Sequence, residues 1–340
     1  MKDVVIVGAG PIGIEAAILA KRAGLDSLLL DKGAVVDAIR RYPVYMTFFT
    51  SSERLEVGGH PLVSATDKPT RKEALDYYRK VVQNEALPLR TYTQVTAIEP
   101  NPKGGFRVIT RPTPPAGAQQ RTEVIEARHV VVATGYFDNP KPLGVPGEEL
   151  PHVTHYYDEA HPYMGRNVVI IGAGSSAADA ALDLYRGGAK VTLVHRGETL
   201  RHSLKYWIKP NLENRIKEGS ITAHFQTVVT GVTTEHVSVS KLGHPFHIPA
   251  DRVFALTGYS AGTQLLASAG VKIDAATQAA QLDPVTFESN VQGLYVIGSA
   301  GFGNRTSDVF IENGLLHAQA AMNSLVARNR RAPEMSDLAR

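Results

Sequence analysis

What most constrains this chain is one pattern that occurs twice at a fixed offset. Val4-Val5-Ile6-Val7 runs into Gly8-Ala9-Gly10-Pro11-Ile12-Gly13, then a small-residue helix pattern (Ala16, Ala17, Leu19, Ala20), a stop at Gly24, the run Leu28-Leu29-Leu30 and Asp31. Val168-Val169-Ile170-Ile171 runs into Gly172-Ala173-Gly174-Ser175-Ser176-Ala177, a helix pattern with Ala178, Ala181 and Leu182, a stop at Gly187-Gly188, and Val191-Thr192-Leu193-Val194-His195. Gly172 lies 164 positions after Gly8, and His195 lies 164 after Asp31. In each copy 18 residues separate the third motif position from the end of the second strand (31 − 13 and 195 − 177). A dinucleotide-binding βαβ unit spaces them by about 20. The first glycine allows the tight turn after the strand, and the second lets the backbone approach a pyrophosphate. The third position, Gly13 or Ala177, lets helix pack on strand, and the helix N-terminus offers N–H groups to the phosphates. One such loop is weak evidence. Two, each within strand–helix–strand, predict an α/β chain with two Rossmann-like dinucleotide-binding domains.

The copies part where nucleotide choice is made. Asp31 suits the two free hydroxyls of an adenosine ribose, as in FAD or NAD. The second copy ends in His195-Arg196 with Arg201 close behind. A guanidinium suits a ribose 2′-phosphate that a carboxylate would repel. The first site therefore reads as FAD-binding and the second as NADPH-binding.

Equally decisive is an absence: the 340 residues include 0 cysteines. Disulfide scaffolding, thiolate metal sites, cysteine nucleophiles and CxxC redox pairs are excluded. Lys plus Arg exceed Asp plus Glu by only 36 − 33 = 3, with no block of like charge. That balance makes no case for nucleic acid or a membrane surface as partner. No apolar run approaches the roughly 18 residues of a membrane span. The opening segment resembles a signal peptide only superficially, since Gly, Pro and Glu interrupt it. A soluble cytoplasmic enzyme is expected.

Val130-Val131-Val132 closes on Ala133-Thr134-Gly135, and a Pro/Gly-rich linker follows from Asn139 to Gly147. A matching strand, Val253 to Leu256, closes on Thr257-Gly258, and Gly293 to Ala300 reads as a late strand ending in small residues. An apolar-periodic segment follows at 307–327. The simplest architecture inserts the NADPH domain (146–258) into an FAD domain made of 1–140 and 259–330, with 331–340 a frayed polar tail. Arg111 to Gly117 reads as a hairpin tip between strands at 106–110 and 122–126. Thr70 with Glu73 reads as a capping box that opens an amphipathic helix. His152, His155 and His161 lack a carboxylate or thiolate at ligand spacing, so no metal is expected. No G-x-S-x-G, HExxH or Walker A motif is present.

This domain order, with a T-G turn at each crossing and the late Gly298-Ser299-Ala300, is similar to two-dinucleotide flavoproteins of the thioredoxin reductase type. That group carries Asp where Ser299 stands, and a CxxC pair that this chain lacks. A narrower resemblance lies in Tyr45 to Glu53, Glu56 to Pro61, Lys68 to Arg79 and Phe310-Ile311-Glu312-Asn313-Gly314, which look like bacillithiol disulfide reductases. It implies an FAD enzyme that uses NADPH to reduce a low-molecular-weight disulfide. It also implies a bacilliredoxin-type pathway and a homo-oligomer. Many members carry a cysteine in the first glycine loop, where this chain has Ile12.

Besides the motif residues, Lys32, Thr47, Phe48, His60, Val95, Ala133, Thr134, Gly135 and Ala300 are expected around the cofactors. His60, on a loop after Gly58-Gly59, is the candidate acid for a departing thiolate. Phe48 and Phe49 read more simply as core. Glu312-Asn313-Gly314 falls in the first turns of the last helix, whose N-terminus favours negative charge on a reduced flavin. Three readings stay open beside disulfide reduction: a ferredoxin– or flavodoxin–NADP reductase, a flavin-containing monooxygenase, and a nucleotide-occupancy sensor.

Overall fold

The computed structural model describes residues 1–115, 121–201 and 204–337. Two compact units divide the chain, the first from Met1–Arg40, Met46–Asn139 and Tyr259–Arg340, the second from Arg41–Tyr45 and Pro140–Gly258. The first unit opens with β1 (Lys2–Val7), α1 (Pro11–Arg22), β2 (Ser27–Leu30), the single turn α2 (Asp37–Arg40), α3 (Arg71–Asn84), β3 (Leu89–Arg90), β4 (Thr93–Pro100), β5 (Phe106–Pro112) and β6 (Glu123–Val132). The second holds β7 (Val153–Thr154), β8 (Asn167–Ile171), α4 (Ser175–Arg186), β9 (Lys190–Val194), α5 (Lys209–Lys217), β10 (Thr222–His224), β11 (Thr227–Val232), β12 (His236–Lys241), β13 (His244–Pro249) and β14 (Arg252–Ala255). The chain returns to the first unit with α6 (Gln264–Ser268), β15 (Leu294–Val296) and α7 (Ile311–Asp337).

The two units share one plan. In the first, β3-β2-β1-β6-β15 are parallel neighbours. In the second, β10-β9-β8-β14-β7 are parallel in the corresponding order. Each unit adds an antiparallel three-stranded arm, β4-β5-β6 in one and β11-β12-β13 in the other. The first half of β6 belongs to the arm and the second half to the parallel sheet, so one strand joins both. Val4 to Ile6, Val130 to Val132 and Val168 to Ile170 are fully buried. Continuous apolar runs of this kind are what parallel strands covered on both faces require. Helix α1 packs against α7, with Gln319 of α7 bonded to Glu15 of α1 and Ile12 against Gly314.

The capping box is present. The Thr70 hydroxyl accepts the Glu73 N–H, while the Glu73 carboxylate accepts the Thr70 N–H at 2.7 Å. That carboxylate also accepts the Ala65 N–H, and these bonds hold its pKa down at about 2. The late strand is shorter than expected, because β15 stops at Val296 and a 3₁₀ turn takes Gly298–Gly301. Arg111 and Pro112 lie in β5, while Ala116 and Gly117 of the expected hairpin tip lie outside the described residues. The tail expected to fray from 331 is helical to Asp337, and 338–340 lie outside the described residues.

Arg41–Tyr45 belongs to the second unit, although its neighbours in sequence belong to the first. The Val44 N–H donates to the Asp158 carbonyl at 3.2 Å, and the Tyr45 and Tyr157 hydroxyls both donate to the Asp183 carboxylate on α4. The guanidinium of Arg41 lies over the Tyr156 ring.

Candidate dinucleotide sites

The first cradle forms where β1, β2, β6 and β15 end together at their carboxyl edge, the usual ligand position in an open α/β sheet. The Gly8 N–H donates to Leu30 O, the Ala133 N–H to Val7 O and the Ile297 N–H to Val132 O, tying the four strand ends side by side. Gly8 has φ +111°, and a Cβ there would lie 2.5 Å from the Ala133 carbonyl oxygen. A Cβ on Gly13 would lie 1.8 Å from the Gly8 carbonyl oxygen, so α1 can start this close to the turn only with glycine. A Cβ on Gly10, by contrast, would meet no protein atom within 4 Å. Gly10 is the N-cap of α1 and makes no side-chain cap bond, so the first-turn N–H groups face open space. Pro11 at the first helical position has no N–H to leave unpaired.

Asp31, just past β2, ties this loop down. One carboxylate oxygen accepts the Ala9 N–H at 2.6 Å and the other the Gly33 N–H at 2.7 Å. Burial pushes its pKa up, and the two backbone bonds partly offset that. Lys32 makes an ion pair with Asp138 at 2.9 Å. On the far side of the loop, a Cβ on Gly135 would come within 3.8 Å of the Ser299 hydroxyl, so the Ala133-Thr134-Gly135 turn and the Gly298-Ser299-Ala300 turn face each other. Ser299 and Ala300 are buried. The Ile12 side chain fills the remaining gap. Its Cδ1 lies 2.7 Å from a Cβ built on Gly298 and 2.3 Å from one built on Gly314 in the first turn of α7.

The second cradle repeats this construction. The Gly172 N–H donates to Val194 O at 3.0 Å, and Gly172 (φ +134°) would place a Cβ 2.3 Å from the Leu256 carbonyl oxygen. Leu256-Thr257-Gly258 thus stands to Gly172 as Ala133-Thr134-Gly135 stands to Gly8. Gly174 caps α4 with no side-chain bond, and a Cβ there would also meet nothing within 4 Å. Ser175 and Ser176 open the helix, and buried Ala177 shows that this copy tolerates a methyl at the third position. Beyond β9, burial first and then the charges of Arg201 and Arg196 lower the pKa of His195, so its ring is neutral near pH 7. Arg196 and Arg201 are exposed, and neither has a carboxylate partner among the described residues.

Thr47, Phe48, His60 and Val95 make contacts within the first unit. His60 bonds to Glu85 at 2.8 Å, and Glu85 also pairs with Arg22 in the last turn of α1. Gly58, two residues before His60, bonds Glu15 and lies against Ile18 midway along α1. Val95 and Phe48 are buried in packing, whereas Thr47 is exposed and bridges Thr70. Phe49, read as core, is 39% exposed. His155 of the linker histidines bonds to Ala255 O and Glu148. Among the described residues no cluster of three or more His, Asp or Glu is arranged to hold a metal, and no helix is long and apolar enough to cross a membrane. Asn313, expected in the first turns of the last helix, brackets the start of α7. One contributor was missed in the sequence: buried Glu15 on α1 accepts the Gly58 N–H at 2.6 Å, and an acidic residue within a glycine-loop helix was the available signal.

Residues 5–298 match the family described as pyridine nucleotide-disulphide oxidoreductase, and the chain belongs to that family. It is therefore an oxidoreductase, with FAD and NADPH as cofactors. The narrower resemblance holds as well. The chain is 38% identical over 315 residues to bacilliredoxin reductase Bdr of Bacillus subtilis (strain 168), covering 92% of this chain and 94% of the relative. The bacillithiol disulfide reductase Bdr of Bacillus cereus superposes with a TM-score of 0.92 at 37% identity, covering 96% of this chain and 99% of that one. Thioredoxin reductase of T. acidophilum shares the fold, with a TM-score of 0.70 at 22% identity over 96% of this chain and 98% of that one. The residues fit the cofactors. At each cradle the protein leaves space beside the second glycine and aims unpaired helix N–H groups into it.

That open space generates a test. A Cβ at Gly10 or Gly174 would meet no protein atom within 4 Å, so Gly10→Val and Gly174→Val should both still fold. Gly10→Val should purify with little bound FAD, and Gly174→Val should keep its flavin while NADPH affinity falls at least about tenfold. Full flavin content in Gly10→Val would contradict a pyrophosphate at that position.

Proposed function

We propose that this chain reduces bacillithiol disulfide with electrons from NADPH, through FAD, with no polypeptide sulfur in the path. Its near full-length likeness to Bdr enzymes supports the substrate, and the 0 cysteines require the thiol-free route. When bound, the nicotinamide–flavin pair supplies hydride transfer, and the protein supplies binding, orientation and electrostatics.

The first unit holds FAD. The N–H groups at the start of α1 receive the pyrophosphate beside Gly10, and Asp31, already oriented by Ala9 and Gly33, receives the ribose hydroxyls. Ala133, Thr134, Gly135, Gly298, Ser299 and Ala300 wall the site, with the Ser299 hydroxyl in place of a carboxylate. The second unit holds NADPH, with its pyrophosphate on Gly174 to Ala177. Neutral His195 adds no charge of its own, and the unpaired guanidiniums of Arg196 and Arg201 receive the 2′-phosphate. The enzyme works in the cytoplasm as a homo-oligomer, in a bacilliredoxin-type pathway.

Arg196→Ala should shrink the preference for NADPH over NADH by about 10- to 100-fold, the size of a lost charge-assisted hydrogen bond, mainly through KM for NADPH. Equal use of both nucleotides by the parent enzyme would contradict the 2′-phosphate assignment. The acceptor is tested by following NADPH consumption with bacillithiol disulfide, with ferredoxin, and with oxygen plus a soft nucleophile. Sustained turnover is expected with the disulfide. Turnover with ferredoxin alone would replace the disulfide reading, and binding of NADPH without turnover on any acceptor would make the chain a sensor.

A further inference from the structure

On α7, one turn after the Gly314 that meets Ile12, His317 lies against two phenyl rings. It stacks on Phe287 with centroids 4.0 Å apart and planes at 19°, and on Phe302 at 5.6 Å and 22°. Its Nδ1 is buried and has no hydrogen-bond partner among the described residues. Buried polar atoms are nearly always paired, so this one calls for a reason.

Both rings belong to segments that shape the first cradle. Phe302 closes the 3₁₀ turn Gly298–Gly301, donating its N–H to Ser299 O at 3.1 Å. Phe287 has φ +57°, an uncommon conformation for a residue with a side chain. Its carbonyl accepts the Val296 N–H at the end of β15, at 3.0 Å. His317 therefore joins α7 to the loop that precedes β15 and to the turn that follows it.

We infer that His317 is an acid-sensitive latch on the FAD cradle: the neutral ring holds α7 to the turn Gly298–Gly301, and protonation frees that turn and weakens FAD binding. The inference rests on FAD occupying the first cradle, and it is independent of which disulfide is reduced. The unpartnered nitrogen supplies the reason. A neutral imidazole can carry its one N–H on Nε2 and leave Nδ1 bare, whereas the charged ring is a donor at both nitrogens. In the fold a proton on Nδ1 would meet no acceptor, so charging the stacked ring strands a donor and a charge together. The charges on the surrounding elements are Asp283 and Glu288 on the Phe287 loop, Arg305 over Phe302, Glu312 on α7 and Glu15 on α1, and none bonds to the ring. Burial alone lowers its pKa from the ordinary 6.5. Above that value the ring is neutral in both the closed and the loosened state. Below it the loosened state takes up a proton that the stacked ring refuses, so closure weakens as pH falls.

The test follows flavin release from the holoenzyme by fluorescence between about pH 7.5 and about pH 5, in the parent and in His317→Phe, which keeps a stacking ring without a titratable nitrogen. Asp31, whose pKa burial raises, stands in the same cradle and is common to both proteins, so the difference between them belongs to His317. Across that range the apparent Kd for FAD should rise at least about tenfold more in the parent than in the variant, the excess staying within about tenfold per pH unit for one proton. An equal rise in both proteins overturns the latch while the FAD site stands. A wrong placement of FAD shows separately, as full flavin content in Gly10→Val. Hydrogen exchange at the imidazole C2 position of His317, read by mass spectrometry on the parent alone, covers a variant that does not fold. A titration midpoint below 6.5 is expected, and a midpoint at or above 6.5 overturns the latch.

Discussion

The fold hangs on an approach between two backbones. Gly13 lies so near the Gly8 carbonyl that any side chain would collide with the turn, and this closeness starts α1 directly over the end of β1. Everything at the first cradle follows from that start. The helix N–H groups face the carboxyl edge of the sheet, the Ala9 N–H falls within reach of Asp31, and Ile12 projects toward Gly298 and Gly314. The second copy keeps the turn but carries buried Ala177 at the third position, so the same plan there accommodates a methyl group.

Ile12 joins the architecture to the chemistry. It sits in the glycine loop, wedged between the turn after β15 and the first turn of α7, and both neighbours are glycines because its side chain takes their space. An aliphatic group there can neither form a mixed disulfide nor store electrons. With 0 cysteines elsewhere, the polypeptide contributes shape, hydrogen bonds and charge, and the redox capacity rests with the bound cofactors.

The parts legible in the sequence are those whose physical cause is local. Glycine turns, the helix cap of Thr70 and Glu73, and continuous apolar strands each follow from residues a few positions apart, and the duplication made them unmistakable. What was illegible depends on distant partners. Arg41–Tyr45 joins the second unit because Tyr45 finds Asp183, 138 residues away. Nothing in the glycine loop itself announces that His60 bonds Glu85, 25 residues on, at 2.8 Å. Phe49 follows Phe48 directly and is the same residue type, yet the fold buries Phe48 and leaves Phe49 39% exposed.

The absence of polypeptide sulfur from the electron path is tested most directly by anaerobic reductive titration of the flavin-loaded protein, counting electrons taken up per flavin. A chain whose only redox centre is its flavin should absorb two and then stop, with no further uptake before excess reductant accumulates. Uptake of four would reveal a second two-electron centre and contradict the account.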